Sequence, residues 1–260
     1  MATLYPGRVD LGLGHLGLGR APGTDMETAQ ALRRTERTAE FPEEVEELAG
    51  YFEDTNSVHA YPAAGVKVPI YILGSSTDSA HLAAKLGLPY AFASHFAPGM
   101  LIEAVKIYRD EFKPSKALDK PYVIVGANAY VADTNKEAKR LSTTQTQAFA
   151  DLVSNNLRPL QPPVDNDDQV WDKVRQADNA HVPNFGPVKF NAEDLIQRKK
   201  QIADNMARVT FIGDKETVKK QIEYLQSKVE FEELIINSYI YDIKAQYHSF
   251  DLLKQVVDEF

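Results

Sequence analysis

The sequence predicts an α/β fold in which parallel strands alternate with helices. Short apolar segments rich in β-branched and aromatic residues recur along the chain, as is typical of strands buried on both faces. Each such segment is followed by one in which apolar residues have helical spacing. Because a strand, a helix and a second strand in succession usually place the two strands in parallel, this order predicts a parallel sheet covered by helices.

The first predicted strand, at residues 8–13, leads into two copies of Leu-Gly-Leu-Gly. Together they contain a formal G-x-G-x-x-G motif at Gly12, Gly14 and Gly17. A dinucleotide-binding motif must open directly into a helix, whereas Arg-Ala-Pro-Gly follows here at 20–23. We therefore do not interpret the glycines as a dinucleotide fingerprint.

A glycine and several hydroxyl-bearing residues separate the next strand, at 68–73, from the helix after it. The segment 74–79 reads Gly-Ser-Ser-Thr-Asp-Ser. A helix N-terminus carries unpaired N–H groups and a partial positive charge, so this turn is a predicted phosphate site. The alternative is that Asp78 or Ser79 simply caps the helix.

The same order of elements continues to the end of the chain. Further strands are predicted at 88–94, 121–132, 208–213 and 233–241. Helices are predicted at 24–39, from Pro42, from Pro98 to before Pro114, after a capping box of Thr134 and Glu137, at 191–206, after a cap at Asp214, and at 249–257.

A proline-rich segment at about 158–190 interrupts the pattern around a short helix that contains Trp171. It is predicted to be an excursion over the mouth of the sheet, either a substrate lid or a plain surface insertion. Trp171, Phe96 and Tyr130 are candidates to stack on a planar ring, although aromatic side chains also form cores.

Composition excludes several classes of function. A formal net charge of -8 argues against binding a nucleic-acid backbone or an anionic membrane surface. The absence of cysteine removes disulfides and thiolate chemistry and suits the cytoplasm, and no apolar segment is long enough to cross a membrane. The six histidines form no H-E-x-x-H motif, so no metal site is predicted.

Polar residues cluster where the predicted strands end, which is where parallel α/β proteins bind ligands. They are Arg20, Ser75, Ser76, Ser79, Ser94, His95, Asp133 and Tyr241. The turn lacks the lysine of a P-loop, so its phosphate is predicted to belong to a retained cofactor. His95 is either an acid or base in a pocket or a hydrogen-bonded loop residue. Arg20 is either a phosphate partner or a surface residue.

Three segments together resemble one family. They are Tyr-Pro-Gly-Arg-Val-Asp-Leu-Gly-Leu-Gly at 5–14, Gly-Arg-Ala-Pro-Gly-Thr-Asp at 19–25, and the stretch from Ile-Leu-Gly-Ser-Ser to Ala-Ser-His-Phe-Ala-Pro at 72–98. They resemble the bacterial luciferase-like monooxygenases. The resemblance implies a (β/α)8 TIM-type barrel that uses reduced FMN, supplied by a separate flavin reductase, to activate O2. It implies cofactor-binding roles for Arg20, Gly74, Ser75, Ser76, Ser79 and Ser94, and a catalytic or contact role for His95.

The chain departs from the family pattern in two ways. It begins at what corresponds to the fourth strand, so residues 1–260 are expected to form one N-terminally shortened domain with about strands 4 to 8. It also carries an extra Leu-Gly-Leu-Gly copy. Exposed sheet edges would favour a homo-oligomer.

The leading hypothesis is an FMN-dependent monooxygenase acting on an unidentified small organic substrate. The alternatives are a noncatalytic barrel fragment that associates through its edges and a deazaflavin-dependent reductase.

Overall fold

The computed structural model describes residues 1–14, 41–179 and 192–260. Within these ranges the strands are β1 (Leu11–Gly14), β2 (Ile70–Gly74), β3 (Tyr90–Phe92), β4 (Val123–Val131), β5 (Thr210–Gly213) and β6 (Glu233–Asn237). The helices of the same ranges are α1 (Phe41–Glu53), α2 (Thr77–Leu86), α3 (Leu101–Glu111), α4 (Asn135–Val153), α5 (Asp167–Asn179), α6 (Ala192–Met206), α7 (Lys215–Gln226) and α8 (Ile243–Val257). The predicted alternation of strands and helices is confirmed.

The described residues form two compact units. The first comprises Met1–Ala93, Met100–Val125 and Glu230–Glu233, and the second comprises Ser94–Gly99, Gly126–Val229 and Leu234–Phe260. In the first unit, β1 pairs with β2, β2 with β3, and β3 with the start of β4, all in parallel. In the second, the end of β4 pairs in parallel with β5. The predicted parallel sheet is therefore confirmed.

Strands β3 and β4 are buried throughout, as their apolar runs predicted. All nine residues of β4 and all three of β3 are buried. Helix α2 presents small side chains to the strands beneath it, since Ala80, Ala83 and Ala84 are fully buried. Gly87 ends this helix in the left-handed conformation, at φ 64°.

Two predictions at the C-terminal end were wrong. The last helix, α8, begins at Ile243 rather than at residue 249, because the Asp242 carboxylate caps it by accepting a hydrogen bond from the Ala245 N–H at 2.9 Å. Ser249 lies buried within α8, where its Oγ accepts from the Val131 N–H at 2.8 Å. The strand β6 ends at Asn237 rather than at residue 241, and it is not fully buried, since Ile235 is 53% exposed.

The proline-rich segment contributes to the core of the second unit. Trp171 on α5 is 3% exposed and packs with Phe149 of α4 and Ile196 of α6. It is therefore a core residue and not a stacking surface for a ring. The part of this segment at residues 180–190 lies outside the described residues.

Buried polar side chains of α4 hold the irregular chain that precedes α5. The Gln147 side-chain amide donates to the Pro162 carbonyl at 2.9 Å, and Thr143 Oγ1 accepts from the Val164 N–H at 2.9 Å. The Arg158 guanidinium makes two hydrogen bonds to the Asp151 carboxylate, at 2.7 and 3.0 Å. These bonds explain why a helix inside the molecule carries so many polar residues.

No helix in the described ranges is both long enough and apolar enough to cross a membrane. The predicted helix at 24–39, the second Leu-Gly-Leu-Gly copy and Arg20 lie outside the residues that the structure describes.

Candidate functional site

The predicted phosphate turn joins β2 to α2 in the first unit. Ser76 occupies the N-cap position with an extended backbone, at φ -134° and ψ 168°, but its side chain makes no capping hydrogen bond. Neither Asp78 nor Ser79 occupies the cap position, so capping by these two residues is not what the described structure shows. Asp78 lies in the first turn, where its exposed carboxylate complements the helix dipole. Within the described part of the chain no side chain caps the first amides of α2, so they are available to a ligand.

Two hydroxyl groups donate hydrogen bonds to the backbone of this turn, at the Ser76 carbonyl. Ser79 Oγ donates to the Ser76 carbonyl at 2.8 Å, and the Tyr90 hydroxyl reaches the same carbonyl at 3.1 Å. The two hydroxyl oxygens lie 3.0 Å apart. Burial raises the pKa of Tyr90 to about 12, so the phenol stays protonated as a donor near neutral pH.

Two other hydroxyls of the turn, those of the partly buried Ser75 and Ser76, have no partner in the described ranges. Each can therefore donate to an anion held at the start of α2. Ser79 differs from them, because its proton is already donated to the Ser76 carbonyl.

Gly74 is required by the close approach of Ser79. A Cβ at position 74 would lie 1.9 Å from Ser79 Oγ and 2.3 Å from Ser79 Cβ. The Gly74 carbonyl accepts from the Ala93 N–H at 2.8 Å, which ties the end of β2 to the end of β3. The absence of a side chain at Gly74 thus leaves space for the Ser79 side chain that hydrogen-bonds to the turn.

A second group of polar residues surrounds His95 in the second unit. The His95 carbonyl accepts from the Asn128 side-chain amide at 2.6 Å, and the buried Ser94 donates from Oγ to the Gly126 carbonyl at 2.5 Å. The His95 ring contacts Phe96 edge-on, with ring centroids 4.7 Å apart. Partial burial lowers the pKa of His95, so the imidazole is neutral at pH 7 and can both accept and donate a proton.

Asn128 and Asn237 were missed in the sequence. The Asn237 side-chain amide donates to Asn128 Oδ1 at 3.3 Å, so the two asparagines form a chain of hydrogen bonds that ends at the His95 carbonyl. One feature of the sequence could have indicated this network: Asn128 is an amide in the middle of an otherwise apolar strand. A buried amide must find partners, and such a position therefore indicates a polar network.

The structure thus brings some of the predicted residues together. Gly74, Ser75, Ser76 and Ser79 share one turn, and Ser94 and His95 share one loop. Asp133 pairs instead with His248 at 3.1 Å at the surface, and Tyr241 is exposed. Tyr130 is fully buried, with its hydroxyl accepting from the Tyr239 N–H, so it belongs to the core.

Comparison with known proteins identifies relatives along nearly the whole chain. Residues 1–229 match the family model described as luciferase-like monooxygenase. A luciferase-like monooxygenase of Escherichia coli (strain K12) is 39% identical over 262 residues, which cover 99% of this chain and 70% of that protein. The uncharacterized protein YvbT of Bacillus subtilis (strain 168) is 39% identical over 261 residues, 98% of this chain and 69% of that protein. Among solved structures, apo-MsnO8 superposes with a TM-score of 0.74 at 25% identity, over 99% of this chain and 70% of that one.

Proposed function

The chain belongs to the luciferase-like monooxygenase family, and on that premise we propose that it is a flavin-dependent monooxygenase that uses reduced FMN and O2 on a small organic substrate. Its fold class, α/β of the (β/α)8 TIM-barrel type, agrees with this assignment. The observation that carries the proposal of a phosphate-bearing flavin is the turn at 74–79, a helix start without a side-chain cap. The reduced flavin, delivered by a separate flavin reductase, would supply the electrons that activate oxygen.

The residues of the turn fit a phosphate group. The Ser75 and Ser76 hydroxyls and the first amides of α2 are donors, and donors at a helix start favour an anion. Ser79 and Tyr90 hold the turn in shape and need not touch the phosphate themselves. Arg20, outside the described residues, is proposed as a further phosphate contact from the family resemblance alone.

Ser94 and His95 are proposed as flavin contacts on the same resemblance. The Ser94 hydroxyl proton is donated to the Gly126 carbonyl, so its oxygen is free only to accept. The neutral His95 imidazole can take a proton at one ring nitrogen and release one from the other. His95 would thereby manage protons during oxygen activation.

Anaerobic titration of the purified chain with FMNH2 and, separately, with reduced deazaflavin F420 tests this proposal. We expect saturable one-site binding of FMNH2, followed by flavin fluorescence or calorimetry, with tighter binding than that of the deazaflavin. Tighter binding of reduced F420 would favour a deazaflavin-dependent reductase instead. Failure to bind either cofactor would overturn the proposal in favour of a noncatalytic protein.

A further inference from the structure

Asn128 is a fully buried amide in the middle of an apolar strand. The strand β4 reads Val-Ile-Val-Gly-Ala-Asn-Ala-Tyr-Val, and each of its positions is buried. An amide transferred from water to such a place is unfavourable unless its polar atoms are hydrogen-bonded. An aliphatic side chain of similar size would fill the position without that requirement. Packing alone therefore does not account for an amide side chain at position 128.

The hydrogen bonds of Asn128 join three segments of the second unit. Its Nδ2 donates to the His95 carbonyl at 2.6 Å, in the loop after β3. Its Oδ1 accepts from Nδ2 of Asn237, the last residue of β6, at 3.3 Å. Its own backbone N–H donates to the Val209 carbonyl at 3.1 Å, just before β5. Asn128 thus fixes one loop carbonyl from a rigid strand.

Ser94 makes a second hydrogen bond between the loop after β3 and the strand β4, next to the bond between Asn128 and His95. Its hydroxyl donates to the Gly126 carbonyl, two residues before Asn128 on the same strand. Two successive loop residues, Ser94 and His95, are therefore held at two points of β4. The His95 ring has no hydrogen-bond partner among the described residues, so its direction is set by its backbone and by the edge-on contact with Phe96.

We propose that Asn128 is the positioning residue for His95: it holds the His95 carbonyl and thereby fixes the direction in which the imidazole projects, with Asn237 orienting the Asn128 amide. Holding the peptide fixes the backbone angles at His95 and so the Cα–Cβ bond. Its effect on the flavin rests on the proposed function, whereas its effect on the imidazole does not. Asn128 itself is not proposed to touch flavin or substrate.

The first test follows the imidazole directly, in the chain without flavin. The His95 resonance is assigned by its loss in His95→Gln, and its pKa is measured by NMR in the wild type and in Asn128→Leu. Releasing the loop exposes the ring to water, so we expect the pKa of His95 to rise measurably toward its ordinary value. An unchanged His95 pKa in a folded Asn128→Leu chain overturns the proposal.

Gln147→Leu is the matched control. Gln147 is also a buried amide of the second unit that donates to a backbone carbonyl, that of Pro162. We expect it to lose comparable stability and to leave the His95 pKa unchanged. An equal pKa change in both variants would mean that Asn128 acts only through general stability, against the proposal.

Asn237→Ala keeps the test usable if Asn128→Leu does not fold. This variant leaves the Asn128–His95 bond in place but frees the Asn128 amide to rotate, so we expect a smaller rise in the same His95 pKa. No change in that pKa would contradict the orienting role of Asn237 and the chain of bonds proposed here.

A double-mutant cycle then links Asn128 to the cofactor. We expect Asn128→Leu to weaken FMNH2 binding about threefold or more in the wild-type background and to have little further effect in a His95→Gln background. Additive losses would contradict action through His95. If the wild type binds no FMNH2, the proposed function fails, and the NMR titration still decides the role of Asn128.

Discussion

The hydroxyl of Tyr90 lies 3.0 Å from Oγ of Ser79, beneath the turn that joins β2 to α2. Both hydroxyls donate to the Ser76 carbonyl, so that carbonyl oxygen is already hydrogen-bonded. A carbonyl oxygen facing a phosphate would repel it. The pair therefore occupies one acceptor of the turn, and the phosphate proposal can be tested through a residue that need not contact the ligand.

Tyr90→Phe removes one of these hydroxyls without changing the shape of the ring. We expect FMNH2 to bind about three- to tenfold more weakly, and the free energy of unfolding to fall by about 1 kcal/mol. Calorimetry and urea unfolding measure the two quantities.

Tyr108→Phe is the matched control for this prediction. Tyr108 is likewise buried, its pKa is also raised to about 12 by burial, and its hydroxyl donates to the Leu88 carbonyl at 2.9 Å, away from the turn. It should lose stability without a selective loss of FMNH2 affinity. Equal loss of affinity in both variants would count against a specific role for Tyr90.

Gly74→Ala is expected to distort the phosphate turn. The new Cβ would lie 1.9 Å from Ser79 Oγ, so Ser79 must move and its bond to the Ser76 carbonyl must break. We expect a loss of about 1–3 kcal/mol in unfolding free energy, typical of overpacking, together with weaker FMNH2 binding.

Gly99→Ala and a double variant control for this change. Nothing lies within 4 Å of a Cβ at Gly99, so alanine there should be tolerated. Ser79→Gly removes the atoms that clash, and alone it should cost about 1 kcal/mol because glycine is unfavourable inside a helix. In the Ser79→Gly background, Gly74→Ala should therefore cost much less stability than it does in the wild type. An equal cost in both backgrounds would show that the clash with Ser79 is not the cause.

Arg158→Ala tests how the proline-rich segment is held. It leaves the nearly buried Asp151 carboxylate without its two hydrogen bonds, and we expect a loss of about 1–3 kcal/mol in unfolding free energy by urea denaturation. Arg175→Ala, which breaks exposed ion pairs with Asp172 and Glu193, should change stability much less. Similar losses in the two variants would contradict the structural role given to Arg158.

The lowered pKa of His95 predicts the direction of a pH effect on stability. Burial holds this pKa below its ordinary value of 6.5, so between the two values the unfolded chain binds more protons than the folded one. The contribution of His95 is thus fully present above pH 6.5 and is lost as the pH falls through the folded pKa. Wild-type and His95→Gln unfolding free energies, measured from about pH 7.5 to 5, should therefore converge or cross on acidification. Parallel curves would contradict a buried, neutral His95.

The sequence predicted the fold better than it predicted the site. Apolar strands such as β4 and capping residues such as Thr134 are local signals, and the structure confirms them, with Thr134 Oγ1 accepting from the Glu137 N–H at 3.2 Å. The turn at 74–79 was also found locally, because a glycine and serines before a helix have a direct physical meaning.

Long-range partners could not be predicted in the same way. The bracing of Ser79 by Tyr90 and the bonds from Asn237 through Asn128 to His95 join residues distant in sequence, and no local spacing encodes them. The end of β6 and the start of α8 were misplaced for a related reason. Ile240, three residues past Asn237, is apolar and is buried against Tyr130 and Leu141 although it lies outside the strand.

The affinity ratio of FMNH2 to reduced riboflavin tests the phosphate turn most directly, since the two ligands differ only in the phosphate. In anaerobic titrations of the purified chain we expect FMNH2 to bind about tenfold or more tightly, as charge-assisted hydrogen bonds to a phosphate require. That ratio should fall several-fold in the double variant Ser75→Ala, Ser76→Ala, while riboflavin affinity stays the same. Equal affinities for the two flavins in the wild type, or an unchanged ratio in the double variant, would contradict the assignment of residues 74–79 as the phosphate site.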